Sequence, residues 1–188
     1  MSRNETLDLD SIERRFQDIV TSDQWQGIER AVDAAKTILV FGNGGNLAVA
    51  QHAAADLARL TSKRVAAPGG AVAVSALANE FGFDFWLEQW LRDELRGSEP
   101  EARASDVVTI GLSCSGVSQG VMRALEAAAS LGGSPVLLSG LPPTNPPQAL
   151  TVVLDTVYYH SAEVLMTLLT YQLAVGCGAR PRRLRSVA

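Results

Sequence analysis

The stretch FGNGGNLAVAQHAAADL, residues 41–57, decides how the rest of the chain is read. It takes over from a short apolar run, TILVF at 37–41, that has the length of a buried strand. A glycine-rich turn follows and opens into an alanine-rich segment, 46–60, whose small side chains let a helix approach its neighbours closely. A helix start exposes unpaired N–H groups and partial positive charge, and glycine lets an anion come near that backbone. Further along the same segment, His52 and Asp56 stand four residues apart, which puts them on one helical face.

A second turn of the same kind lies downstream. The run VVTIGL at 107–112 reads as a strand, and SCSGVSQG is its turn. Ser113, Ser115 and Ser118 there offer three hydroxyl donors. Both turns sit at the C-terminal ends of strands, where open α/β sheets bind ligands. Neither is a nucleotide fingerprint. The first lacks the P-loop lysine, and Leu47 occupies the third-glycine position of G-x-G-x-x-G. No nucleotide cofactor is expected.

Outward from these turns, residues 8–35 read as two helical segments, with Ser11 and then Ser22 or Asp23 as N-caps. Ile12, Phe16 and Val20 recur at helical spacing and require a partner. Residues 65–67 suggest a short strand, and helical stretches follow near 72–79 and 85–95. Trp86 and Trp90, at i and i+4, are assigned to core or interface. A polar connector spans 97–106. The next helix, 117–131, stops at Gly132 and Gly133. Strands at 135–138 and 151–154 flank the rigid loop LPPTNPP, and a last helix runs over 160–175. This alternation predicts an α/β domain, a mostly parallel sheet covered on both faces.

The 188 residues suffice for one such domain, and 47% hydrophobic composition supports a packed core. A net charge of −4 argues against a nucleic-acid binder. The basic stretch at 180–185 reads as a solvated tail. Two cysteines, Cys114 and Cys177, form neither a disulfide framework nor a zinc motif. No run reaches transmembrane length and the N-terminus is too polar for a secretory signal, so a cytoplasmic protein without membrane contact is expected.

Taken together, FGNGGN, QHAAADL, NEFGF at 79–83 and LSCSGVS resemble the sugar isomerase (SIS) domain family, and within it the phosphoheptose isomerases. The resemblance implies a five-stranded parallel sheet in a flavodoxin- or Rossmann-like three-layer arrangement over 36–188. It also implies an N-terminal helical segment, 1–35, that packs in a homo-oligomer, a tetramer or a dimer. The implied activity is aldose–ketose isomerisation of sedoheptulose 7-phosphate or a related phosphorylated ketose. The other reading is a non-catalytic SIS protein that binds a sugar phosphate or a protein partner.

Carried over by position, the phosphate loop falls on Ser113, Cys114, Ser115 and Ser118, with Asn43, Gly44, Gly45 and Asn46 from the first turn. Asn46 stands where the family has serine, and Cys114 where it has threonine. Glu80 follows Asn79 where the family has aspartate, and is read either as a substrate-binding residue lining the site or as a brace for its helix. The catalytic pair becomes His52 and Asp56, a carboxylate one methylene shorter than the family's glutamate, or about 1.5 Å. The last helix resembles Q-E-x-H-x-x-x-x-H poorly. Two registers are open. If Glu163 matches the family glutamate, Thr170 replaces the final histidine; if Glu163 matches the glutamine, Tyr171 does. Neither register supplies that histidine. His52, Asp56 and Glu163 remain as catalytic candidates, and with His160 they form two pairs that suit a divalent metal, zinc first. On the last helix, Val164, Leu165, Leu168 and Leu169 are read as an apolar surface, with His160, Glu163, Thr167 and Thr170 as a polar stripe opposite.

Overall fold

The computed structural model describes residues 9–96 and 104–180. Most of the polar connector and of the basic tail therefore lies outside the described residues. In chain order the elements are α1 (Leu9–Val20), α2 (Asp23–Ala34), β1 (Thr37–Gly42), α3 (Gly45–Leu60), β2 (Arg64–Ala66), α4 (Ala71–Phe81) and α5 (Trp86–Arg96). Then come β3 (Val107–Ser113), α6 (Gln119–Ser130), β4 (Ser134–Ser139), β5 (Leu150–Val153) and α7 (Tyr159–Gly176).

The five strands pair in parallel in the order β2-β1-β3-β4-β5. The reversal of strand order falls between β1 and β3, and this is the switch point where doubly wound sheets open a crevice. In register, Gly42 stands opposite Leu112. The turn after β1 and the turn after β3 therefore leave the sheet side by side.

Strand side chains alternate between two apolar layers. Ile38 and Val40 join Trp25, Ile28, Ala53, Leu57, Leu165 and Leu169 on one face. Leu39 and Phe41 join Trp86, Leu87, Trp90, Val121 and Leu125 on the other. All six residues of β1 are buried. Burial on both faces is why TILVF is apolar throughout rather than alternating. Both Trp86 and Trp90 are core residues, and Trp90 meets Phe41 edge to face at 6.0 Å.

The N-terminal helices pack into this same core. Ile12 of α1 and Trp25, Ile28 and Val32 of α2 are buried in it. Ser22 is the N-cap of α2, its hydroxyl accepting from the Trp25 N–H. Ser11 is not a cap, because α1 is already helical at Leu9. Although α4 is composed largely of Ala and Val, it buries none of its residues.

Candidate functional site

The two turns are built into one cavity. Gly44 caps α3 with φ +60°, and Ser118 is the N-cap of α6, so two helix N-termini open at the switch point. Asn43 Nδ2 donates to Ser118 Oγ at 3.1 Å and ties the turns together. Ser113 Oγ accepts from the Gly116 N–H at 3.1 Å, and Ser115 Oγ accepts from the Val117 N–H at 3.4 Å. Gly116 has φ +70°, and a Cβ there would meet the Leu141 carbonyl oxygen at 2.6 Å, so the turn requires glycine. Each of the three serine hydroxyls is thus held by a bond it accepts, which leaves its own proton to donate. Around them closes an open cavity of about 190 Å³, walled by residues 43–46, 112–115, Ser118, Tyr159 and Glu163.

Asn46 is buried, and its side-chain oxygen accepts from the Cys114 thiol at 3.4 Å. Burial pushes the Cys114 thiol above its ordinary value of 9.0; the Asn46 bond opposes that shift and the Glu163 charge adds to it. Glu163 reaches in from α7. A Cβ on Gly45 would land on its carboxylate, so with glycine there the Glu163 side chain lies directly against the start of α3. An acidic group at a helix N-terminus is favourably placed, and an incoming phosphate would share that field.

The remaining candidates lie elsewhere. His52 and Asp56 are on α3 but are not walls of the cavity. His52 Nε2 is 3.5 Å from Asp56 Oδ2, while Asp56 Oδ1 accepts from Arg59 at 2.9 Å. The Tyr171 hydroxyl on α7 lies 2.5 Å from His52 Nε2. Helices α3 and α7 both start at the ligand edge of the sheet and run side by side. Their contacts recur along the length, first Gly45 with Glu163, then His52 with Tyr171. About 10 Å of helix rise separates the two.

Of the two positions left open on the last helix, one faces α3. Thr170 is buried and its hydroxyl donates to the Thr167 carbonyl, so it does not face α3's histidine. Tyr171 does. The polar stripe expected to lie opposite the apolar surface is corrected as well. Glu163 and Thr167 are half-buried and Thr170 is buried, whereas Val164 and Leu168 are exposed. The threonines turn inward because each satisfies its hydroxyl on a carbonyl of its own helix, three or four residues back.

His160 is largely exposed, with Nδ1 3.6 Å from Glu163 Oε2, too far for a hydrogen bond. His52 with Asp56 and His160 with Glu163 remain two separate pairs. Among the described residues no three such ligands converge, so the four do not fit one ion within a single chain. Glu80 is exposed on α4 and is not a wall of the cavity. Tyr159, a wall of the cavity and the first residue of α7, escaped the sequence reading; a tyrosine at a helix start carries no signal of its own.

The sheet order and the paired turns match the fold that the SIS resemblance implies. Over 90% of this chain and 93% of the other, the fold superposes on phosphoheptose isomerase GmhA from Neisseria gonorrhoeae with a TM-score of 0.71 at 21% identity. Within that class the chain is phosphoheptose isomerase-like in sequence. It is 37% identical to the phosphoheptose isomerase of Campylobacter concisus over 56% of this chain and 54% of that one. With the probable phosphoheptose isomerase of Thermoplasma volcanium the identity is 32%, over 72% of this chain and 63% of the relative. The chain thus spans between half and two thirds of the curated relatives it matches. No protein-family model matches it. No helix among the described residues is long and apolar enough to cross a membrane.

Proposed function

We propose that the protein is a phosphosugar aldose–ketose isomerase of the phosphoheptose type. The observation that carries this reading is the set of three serine hydroxyls, each with its proton left to donate, around a cavity fed by two helix N-termini. That is a phosphate site in chemical terms: a dianion meets hydroxyl donors, backbone N–H groups and helix dipoles together.

The spacing along α3 supports a long sugar. An extended seven-carbon chain holds its C1–C2 pair about 9 Å from a phosphate on C7, by ordinary bond lengths. The helix rise between Gly45 and His52 is about the same. Phosphate binds at Ser113, Ser115, Ser118 and the 43–46 turn, and Glu163 accepts hydroxyls of the sugar beside it. At the far end Asp56 takes the proton from carbon, with His52 serving the sugar oxygens. No step of this reading passes through a metal.

The protein acts as a homo-oligomer in the reducing cytoplasm. Support for the first comes from uncovered apolar surface: Val164, Leu168 and Val175 are exposed on α7 at spacings of four and seven, and α4 is uncovered too. Support for the second comes from Cys114 and Cys177, both free thiols.

The test is exchange of the C1 and C2 protons of sedoheptulose 7-phosphate in D₂O, followed by NMR. Wild type exchanges; Asp56→Asn binds the sugar but does not exchange it; Ser115→Ala loses binding. Binding without exchange in the wild type would replace the isomerase reading with that of a sugar-phosphate-binding SIS protein.

A further inference from the structure

The hydrogen bond between His52 and Tyr171 joins residues from two helices and far apart in the chain, and it lies outside the cavity. The rings meet edge to face, with centroids 5.6 Å apart and planes at 82°. The Tyr171 hydroxyl takes up Nε2 of the imidazole at 2.5 Å. Asp56 Oδ2 approaches that same nitrogen to 3.5 Å, and Arg59 holds the other oxygen of Asp56. The groups facing His52 are therefore Asp56, backed by Arg59, from α3 and Tyr171 from α7. Both rings keep an open side, since His52 and Tyr171 are each exposed. A ring nitrogen engaged on one side and open on the other is the arrangement of an oriented proton carrier.

We infer that Tyr171 is the positioning residue of the proton-transfer centre. It acts through His52 and rests on the isomerase reading above. With Nε2–H donated to the phenol oxygen, Nδ1 is the nitrogen presented to the sugar. The steps balance. His52, protonated on both nitrogens, gives its Nδ1 proton to the carbonyl oxygen of the ketose while Asp56 removes a proton from the neighbouring carbon. The product is an enediol. Neutral His52 then takes the proton of the other hydroxyl at Nδ1, the new carbonyl forms, and Asp56 returns its proton to the carbon that had been the carbonyl. No oxidant or reductant enters, and the Nε2–Tyr171 bond persists throughout. Without the phenol the ring is free to turn or to change tautomer, and Nδ1 is lost to the sugar for part of the time.

The test uses the full chain with Tyr171→Phe, which keeps the ring edge and removes only the hydroxyl. Long-range ¹H–¹⁵N spectra read the tautomers of the two histidines directly. In wild type the neutral form of His52 carries its proton on Nε2; in Tyr171→Phe the neutral form becomes a mixture of tautomers, while the signals of His160 stay in place. With sedoheptulose 7-phosphate, kcat falls about 10- to 100-fold in Tyr171→Phe and KM stays within a factor of about two. Tyr171→Phe adds little in the His52→Gln background, because Tyr171 acts through His52. Unchanged tautomers and kcat in Tyr171→Phe, or losses that multiply in the double variant, overturn the assignment and leave the isomerase reading standing. A wild type that binds sugar phosphate but exchanges no protons removes the isomerase reading, and this role with it.

Discussion

Asn43, just past β1, donates its side-chain amide to the hydroxyl of Ser118, at the start of α6, across 3.1 Å. The two residues are 75 apart in the chain, and their bond ties two turns into the wall of one cavity.

That bond can be weighed. Asn43→Ala leaves Ser118 Oγ without its donor and releases the second turn from the first. A side-chain hydrogen bond of this kind contributes about 0.5–1.5 kcal/mol, so affinity for inorganic phosphate or a sugar phosphate should fall about 2- to 10-fold. Titration calorimetry measures it. Unchanged affinity would mean that the turns bind independently.

Gly45 and Glu163 give a second test, one of stability. A methyl group at position 45 displaces the Glu163 carboxylate, the far end of a side chain that can swing aside, so Gly45→Ala should cost only the strain of a displaced glutamate rotamer, about 0.5–1.5 kcal/mol in urea unfolding. Removing the obstacle with Glu163→Ala in the same chain should recover most of that loss. If the two costs simply add, the collision is not the cause.

The cysteines predict how stability changes in alkali. Burial raises both Cys114 and Cys177 above their ordinary 9.0. Below 9.0 native and unfolded chains hold the thiol proton alike. As pH rises past 9.0 the unfolded chain releases it first, so the native state binds more protons and stability falls with pH. Chemical unfolding between pH 8 and 10, about the span of that transition, should show the decline, and Cys114→Ser should make it shallower. An identical slope in that variant would remove Cys114 from the account.

Trp25 tests whether the N-terminal helices are part of the domain. Its side chain is fully buried, with Nε1 donating to Glu29 at 2.9 Å. Trp25→Ala should destabilise the whole protein by about 3–5 kcal/mol in one cooperative transition. A main transition that stays in place would mean that α1 and α2 unfold on their own.

Much of this was legible in the chain. TILVF and VVTIGL, buried on both faces, could only be interior strands, and the glycine and serine turns after them marked helix starts. Ser22 announced α2, and Trp86 and Trp90 announced a core face of α5. Those signals are local: each depends on residues within one or two helical turns. The glycine and serine turns were legible for the same reason, since those residues act on their own backbone.

The last helix was different. Thr170 and Tyr171 are adjacent, yet on a helix they point about 100° apart. Which of them meets His52 depends on how α7 is rotated against α3. That rotation is set by Ala162, Leu165, Leu169 and Leu173 packing into a core they share with α1, α2 and the sheet. By itself the sequence determined the strands, the turns and the chemistry each could offer. Only tertiary structure decided which side chains face one another, because contacts such as His52–Tyr171 and Gly45–Glu163 depend on the rotation of whole helices, and that rotation is settled by burial summed over many residues.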